Sequence, residues 1–147
     1  MGEKIIVWAH NGHVAMDHGG DEKLGGLLRR RFGRQFYTVG FAFRRGDVWA
    51  TGVGDGRSRG EGKWPLAASP EGTGDAILSG AGMPVFFLDL RAVPRTGALG
   101  EWLAAPHDFH SAGRFVTIGG ENMKRISFSE SFDGLVFVEN IHAIHPR

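Results

Sequence analysis

The sequence predicts an α/β fold in which short helices flank a largely parallel sheet. Two observations carry that expectation. Short continuous apolar runs recur at Ile5–Ala9, Val85–Leu88, Phe115–Ile118 and Leu135–Val138, and such runs mark strands covered on both faces. Between the first two lies a stretch with helical spacing, Leu24, Leu27, Leu28 and Phe32. Strands alternating with helices favour a layered α/β arrangement.

The elements follow in order. Ile5–Ala9 reads as a central strand with Trp8 buried, stopping at the turn-prone His10-Asn11-Gly12-His13. Asp21-Glu22 ahead of the leucines, Arg29-Arg30-Arg31 near the end and Gly33 beyond suit a helix with acid first, base last and a glycine cap. Phe36–Phe43 reads as a strand, Arg44–Asp47 as a turn and Val48–Thr51 as the returning strand. Gly52–Pro70, rich in Gly, Arg and Ser, reads as a surface loop. A short helix is expected at Asp75–Ser79, and another around Leu99, Trp102 and Leu103 ahead of Pro106. Val85–Leu88 is the clearest buried strand and ends at Asp89-Leu90-Arg91; Phe115–Ile118 and Leu135–Glu139 supply later ones.

A length of 147 residues suits one domain, taken as 1–147. Seventeen Lys+Arg against sixteen Asp+Glu leave a charge of +1, too little to draw in nucleic acid or anionic lipid. The absence of cysteine excludes disulfides, iron–sulfur clusters and thiolate zinc sites. No apolar run approaches the roughly 18–20 residues of a membrane span, and the first run is too short for a signal peptide. A cytoplasmic protein without a cofactor is expected. Glycine occurs 24 times without a three-residue period, which excludes collagen and points to many turns.

In open α/β sheets ligands gather beyond the carboxyl ends of strands. Three polar clusters fall there: His10-Asn11-Gly12-His13, Asp89-Leu90-Arg91 and Glu139-Asn140-Ile141-His142. An imidazole serves as a general base near neutral pH, an Asn side chain donates to an oxyanion, and an arginine holds developing negative charge. The competing reading is structural: His10 and Asn11 close a turn, and Arg91 pairs with Asp89. Six histidines form the pairs His10/His13, His107/His110 and His142/His145. That spacing places two metal ligands together only on a helix, and no pair sits on a convincing one. Gly56-Arg57-Ser58-Arg59-Gly60 has the letters of a nucleophile elbow. It lacks the strand–turn–helix context, so Ser58 is not read as a nucleophile. The arginines at 29–31, 34 and 44–45 suit solvated surface better than an RNA site on so nearly neutral a chain.

The segment Lys4-Ile5-Ile6-Val7-Trp8-Ala9-His10-Asn11-Gly12-His13-Val14 closely resembles a motif of the erythromycin esterase family. Tyr37–Phe43, Val85–Arg91 and Phe132–Phe137 resemble later segments of that family in the same order. The resemblance implies a hydrolase that opens macrolide lactones or other carboxylic esters, with His10 and His13 catalytic in a cleft and Asn11 and Arg91 binding substrate. It also implies a general base from an upstream Gly-Glu-x-x-His motif. Gly2-Glu3, Gly60-Glu61 and Gly120-Glu121 lack the histidine, as does Gly100-Glu101. The chain therefore resembles the C-terminal half of such an enzyme, a partial domain lacking the N-terminal half, and self-association or that missing half are its expected partners beside a small ester. Two other functions compete: a non-catalytic binding or assembly module that keeps the cleft half, and a metalloenzyme using the histidine pairs.

Overall fold

The structure is a computed structural model that describes residues 4–18, 20, 22–120 and 122–144. Glu3, Asp21, Glu121 and His145, which enter the readings above, lie outside the described residues. In chain order the elements are α1 (Asn11–Val14), α2 (Leu24–Phe32), a 3-10 turn (Gly33–Gln35), β1 (Val39–Gly54) and β2 (Arg57–Leu66). Then come α3 (Gly74–Ser79), β3 (Val85–Asp89), α4 (Ala98–Ala104), β4 (Pro106–His110) and β5 (Phe115–Thr117), followed by β6 (Met123–Ser127), α5 (Phe128–Ser131) and β7 (Gly134–Ile141).

The sixteen residues of β1 are the spine. The main sheet runs β2-β1-β7-β3, with β5 beside the far end of β1; β4 and β6 form a separate two-stranded sheet. The α/β class holds, but the sheet is not largely parallel. Among the described residues only β1 with β7 and β1 with β5 run parallel, whereas β1 with β2, β3 with β7 and β4 with β6 are antiparallel.

The antiparallel excess has a local cause. The turn expected at Arg44–Asp47 does not form, and β1 continues through it to Gly54. The chain reverses instead at Asp55-Gly56, where Gly54 pairs with Arg57. Both turn residues have positive φ, 51° and 69°, the condition for a two-residue hairpin turn whose twist matches its strands. Most of the Gly52–Pro70 stretch is therefore β-hairpin rather than loop. Ser58 lies on β2, exposed, where it accepts from the Gly60 N–H.

Two apolar runs are less covered than their composition predicts. Residues 4–10 form no strand, and Ile5, Ile6 and Trp8 are 84%, 90% and 85% exposed. β3 is an edge strand: Phe86 and Leu88 pack against the core while Val85 and Phe87 face solvent. An apolar run states what a segment needs, and pairing on each side decides whether the need is met.

α2, α3 and α4 follow the sequence, whereas α1 forms where the sequence reads as a turn, α5 is unanticipated, and α2 has no acid in its first turn. α2 carries its three arginines in the last turn and stops at Gly33. α3 is capped by the Thr73 hydroxyl accepting from the Ala76 N–H, with Asp75 in its first turn. The main core joins Phe109, Phe128, Phe132, Leu135 and Phe137 to Leu103 of α4. A smaller cluster of Ala50, Leu66 and Val116 stabilises the far end of the hairpin.

Candidate functional site

A groove of about 1100 Å³ runs between the exposed segment 4–11 and the first half of β1. Phe41 and Phe43 of β1 and Leu28 and Phe32 of α2 make its apolar walls, while His10 and His110 are its imidazoles. Among the described residues no Asp or Glu lines it. It suits a mainly apolar ligand with a few polar points.

Asn11 positions the segment. Over Val39–Phe43, β1 pairs with β7 on one edge, and among the described residues no strand pairs with the other. The Asn11 amide fills part of that edge: its Nδ2 donates to Phe41 O at 2.6 Å, and the Phe41 N–H donates to its Oδ1 at 3.0 Å. The side chain thus imitates a strand partner for one residue. Trp8 lies beyond it, its ring 5.9 Å from that of Phe41.

His10 is held at both nitrogens. The Gly12 N–H donates to its Nδ1 at 3.1 Å, so the proton of the neutral ring sits on Nε2, which donates to Ala112 O at 2.9 Å. His13 is exposed in the last turn of α1, its ring 6.5 Å from that of His10. The structure thus brings His10, His13 and Asn11 together, with His10 and Asn11 on the groove itself.

Arg91 lies behind the wall. β3 runs antiparallel to β7, so its carboxyl end meets the start of β7. There Arg91 Nε donates to Asp133 at 2.7 Å, and its other nitrogens donate to Phe36 O and Arg34 O at 2.5 and 3.1 Å. Its guanidinium also lies 4.7 Å from the centre of the Tyr37 ring. Arg91 pairs with Asp133 through its side chain and meets Asp89 only through its backbone N–H.

Asp133 also accepts from Arg29 and, at 2.9 Å, from the Thr38 N–H. Burial pushes its carboxyl up, but the Arg91 hydrogen bond, the Thr38 N–H and both guanidinium charges outweigh that and hold it below the ordinary range. The same pairing raises the Arg91 guanidinium. Burial and the hydrogen bond to Asp89 push the Tyr37 hydroxyl up to about 12. This network ties α2, β1 and β3 to the start of β7 and so sets the groove wall.

With this geometry stand the comparisons. The erythromycin esterase family model matches residues 2–141. The chain belongs to the erythromycin esterase family. Two solved structures share the fold. One, a Bacillus cereus protein, has a TM-score of 0.76 at 22% identity, over 92% of this chain and 33% of its own. The other, a succinoglycan biosynthesis protein, has a TM-score of 0.74 at 20% identity, over 92% of this chain and 32% of its own. The chain thus spans about a third of the length of the structures it matches. A comparison with curated proteins gave no match.

The remaining clusters of this erythromycin esterase family chain divide differently. Glu139 accepts from Ser79 at 2.7 Å and Asn140 from Arg45 at 2.9 Å, while His142 is exposed. His107 and His110 lie on β4, where a spacing of three puts side chains on opposite faces. His107 donates to Trp102 O at 2.6 Å, and His110 turns to Ser69. Among the described residues no group of three or more His, Cys, Asp or Glu is placed to hold a metal ion. The groove histidine that the sequence offered only as half of a metal-spaced pair is His110, 4% exposed. Its signals in the sequence were the spacing from His107 and its place beside the core residue Phe109.

Proposed function

We propose that this chain is an ester hydrolase of the erythromycin esterase type, acting on a macrolide lactone or another apolar carboxylic ester through histidine-activated water. The observation that carries the reading is the family match over residues 2–141, together with an apolar groove bordered by the His10-Asn11-Gly12-His13 segment. In this reading His10 and His13 perform the acid–base chemistry at the groove mouth, the exposed His13 ring taking the proton and the His10 Nε2–H serving as a donor. An imidazole takes a proton from water as the oxygen adds to the ester carbonyl. The carbonyl re-forms, the ester C–O bond breaks, and the imidazolium returns its proton to the leaving alkoxide. Asn11 and Arg91 assist by fixing the walls: the Asn11 amide is engaged by Phe41, and Arg91 braces Phe36 and Tyr37.

Incubation of the purified chain with a macrolide, followed by mass spectrometry, tests this. The expected product carries the mass of one added water, and its formation slows in His10→Ala and His13→Ala. An unchanged macrolide at high protein concentration contradicts hydrolysis of that substrate class by this chain.

A second reading has its own observation. Ile5, Ile6 and Trp8 form an exposed apolar strip beside the edge of β1 that no strand pairs with among the described residues, the profile of an assembly surface. A binding or assembly module that associates with itself or with the remainder of a longer fold predicts concentration-dependent mass in sedimentation and no ester turnover.

A further inference from the structure

Behind the groove, three polar side chains meet in the core. Ser69, Asp75 and His110 are 2%, 0% and 4% exposed. Ser69 Oγ lies 2.8 Å from His110 Nδ1, Phe43 O lies 3.2 Å from the same nitrogen, and Asp75 Oδ2 lies 3.5 Å from it. Asp75 Oδ2 also accepts from the backbone N–H of His110 at 2.6 Å. The Phe43 ring stacks on the imidazole with centres 4.7 Å apart and planes 10° from parallel. Position, plane and rotation of the ring are all fixed.

The hydrogen-bond inventory then assigns the tautomer. A backbone carbonyl and a carboxylate only accept, so Nδ1 must donate. The Ser69 hydroxyl has one proton and two acceptors of its own within reach, Arg44 O at 3.1 Å and Asp75 Oδ2 at 3.3 Å. It can therefore give its proton to either and accept from Nδ1. With the proton on Nδ1, the neutral ring carries its lone pair on Nε2. Among the described residues every hydrogen bond of the ring runs through Nδ1, and the ring borders the groove. His10, by contrast, has both nitrogens engaged.

A second observation sets the cluster apart from ordinary packing. Asp75 Oδ1 is buried and makes no hydrogen bond among the described residues. A buried carboxylate with an idle oxygen is costly to keep. A negative group beside Nδ1 stabilises the imidazolium that forms when Nε2 takes a proton.

We propose that His110 is a proton acceptor inside the groove, distinct from the His10 and His13 pair at its mouth, a catalytic residue acting through a bare Nε2, with Asp75 and Ser69 as its positioning residues. The substrate class rests on the hydrolase reading above, while the chemistry of the ring is tested separately. The step balances: Nε2 takes one proton from a groove water, the oxygen adds to the ester carbonyl, and the proton returns to the leaving alkoxide as the C–O bond breaks. The arrangement is not a serine-nucleophile triad, because Ser69 and Asp75 both lie on the Nδ1 side.

The experiment uses p-nitrophenyl acetate, which any positioned imidazole hydrolyses, and ring-nitrogen NMR at mildly alkaline pH, where imidazole is neutral. Wild type is expected to show a saturable hydrolysis that His110→Gln reduces by roughly 10²–10⁴-fold. Ser69→Ala should lower kcat with little change in KM, because it loosens the ring and leaves the groove intact. The spectrum should show one ring, absent in His110→Gln, with a protonated Nδ1 and a bare Nε2. If this pattern holds while a macrolide stays intact, the macrolide reading fails and this inference stands. If a macrolide is opened equally fast by folded His110→Gln, the inference fails and the hydrolase reading stands. No saturable hydrolysis in wild type, or a protonated Nε2 in its spectrum, overturns the inference even if His110→Gln does not fold.

Discussion

β7 and the segment Ile5–Trp8 are comparable in their apolar letters and opposite in their burial. Leu135 and Phe137 of β7 are fully buried, whereas Ile6 and Trp8 are 90% and 85% exposed. β7 lies between β1 and β3, and the phenylalanines of α5 and β4 join its side chains in the core. The segment meets β1 chiefly through the Asn11 amide and one ring contact. The difference teaches that the chain separates a self-sufficient core from an apolar surface kept open. The open surface is one wall of the groove.

The largest expected effect is in the core. Phe137→Ala should cost about 3–5 kcal/mol, the usual range for deleting a buried aromatic ring. Trp8→Ala should change stability by no more than about 0.5 kcal/mol, as for surface substitutions. Urea midpoints of the two variants measure this, and equal losses would erase the distinction between the regions.

Next comes the Asp133 network, which binds the groove wall to the core. Asp133→Ala leaves two arginines without their carboxylate and should cost about 3 kcal/mol, the lower end for breaking a largely buried pair. The pH dependence follows from sign. The folded carboxyl lies below its ordinary value, so the stabilisation is complete above the unfolded value near about 4 and is lost as pH falls through the folded one. The wild-type urea midpoint should drop on acidification through that window, and Asp133→Asn should flatten the drop.

A smaller effect is expected at Tyr37, whose hydroxyl donates to Asp89 at 3.0 Å on the half-exposed rim of the same network. Tyr37→Phe should cost about 1 kcal/mol or less. In wild type this phenol should titrate near 12 in ultraviolet absorbance, above an ordinary tyrosine. The smallest effect on stability is expected from Trp8→Asp, which places a charge where water already is. It should leave the urea midpoint unchanged while reducing the binding of a hydrophobic dye, and an undiminished dye signal would relocate the open surface.

The helices α2, α3 and α4 and the strands β3 and β7 were legible because their signals are local. The leucine spacing and flanking charges of α2 and the apolar runs of β3 and β7 placed those elements within a few residues. The hairpin was misread because abundant glycine outweighed a specific signal, the Asp55-Gly56 pair. One of those glycines serves packing: a Cβ on Gly52 would lie 2.5 Å from the Trp64 ring across the hairpin. β4 was missed because Pro-His-Asp-Phe-His has no strand-like pattern, and its pairing with β6 is a long-range choice. His10 and Asn11, which border the groove, were singled out because they follow an apolar run. His110 was hidden because its meaning depends on Ser69, Asp75 and Phe43, which only folding brings to it.

The contrast between the two regions is tested most directly by residue-resolved amide hydrogen exchange of the intact chain. Ile5–Trp8 should exchange at nearly the unprotected rate, while Leu135–Val138 should exchange only through global unfolding. Protection of Ile5–Trp8 equal to that of β7 would contradict the account, because the segment would then be a covered strand and the groove beside it closed.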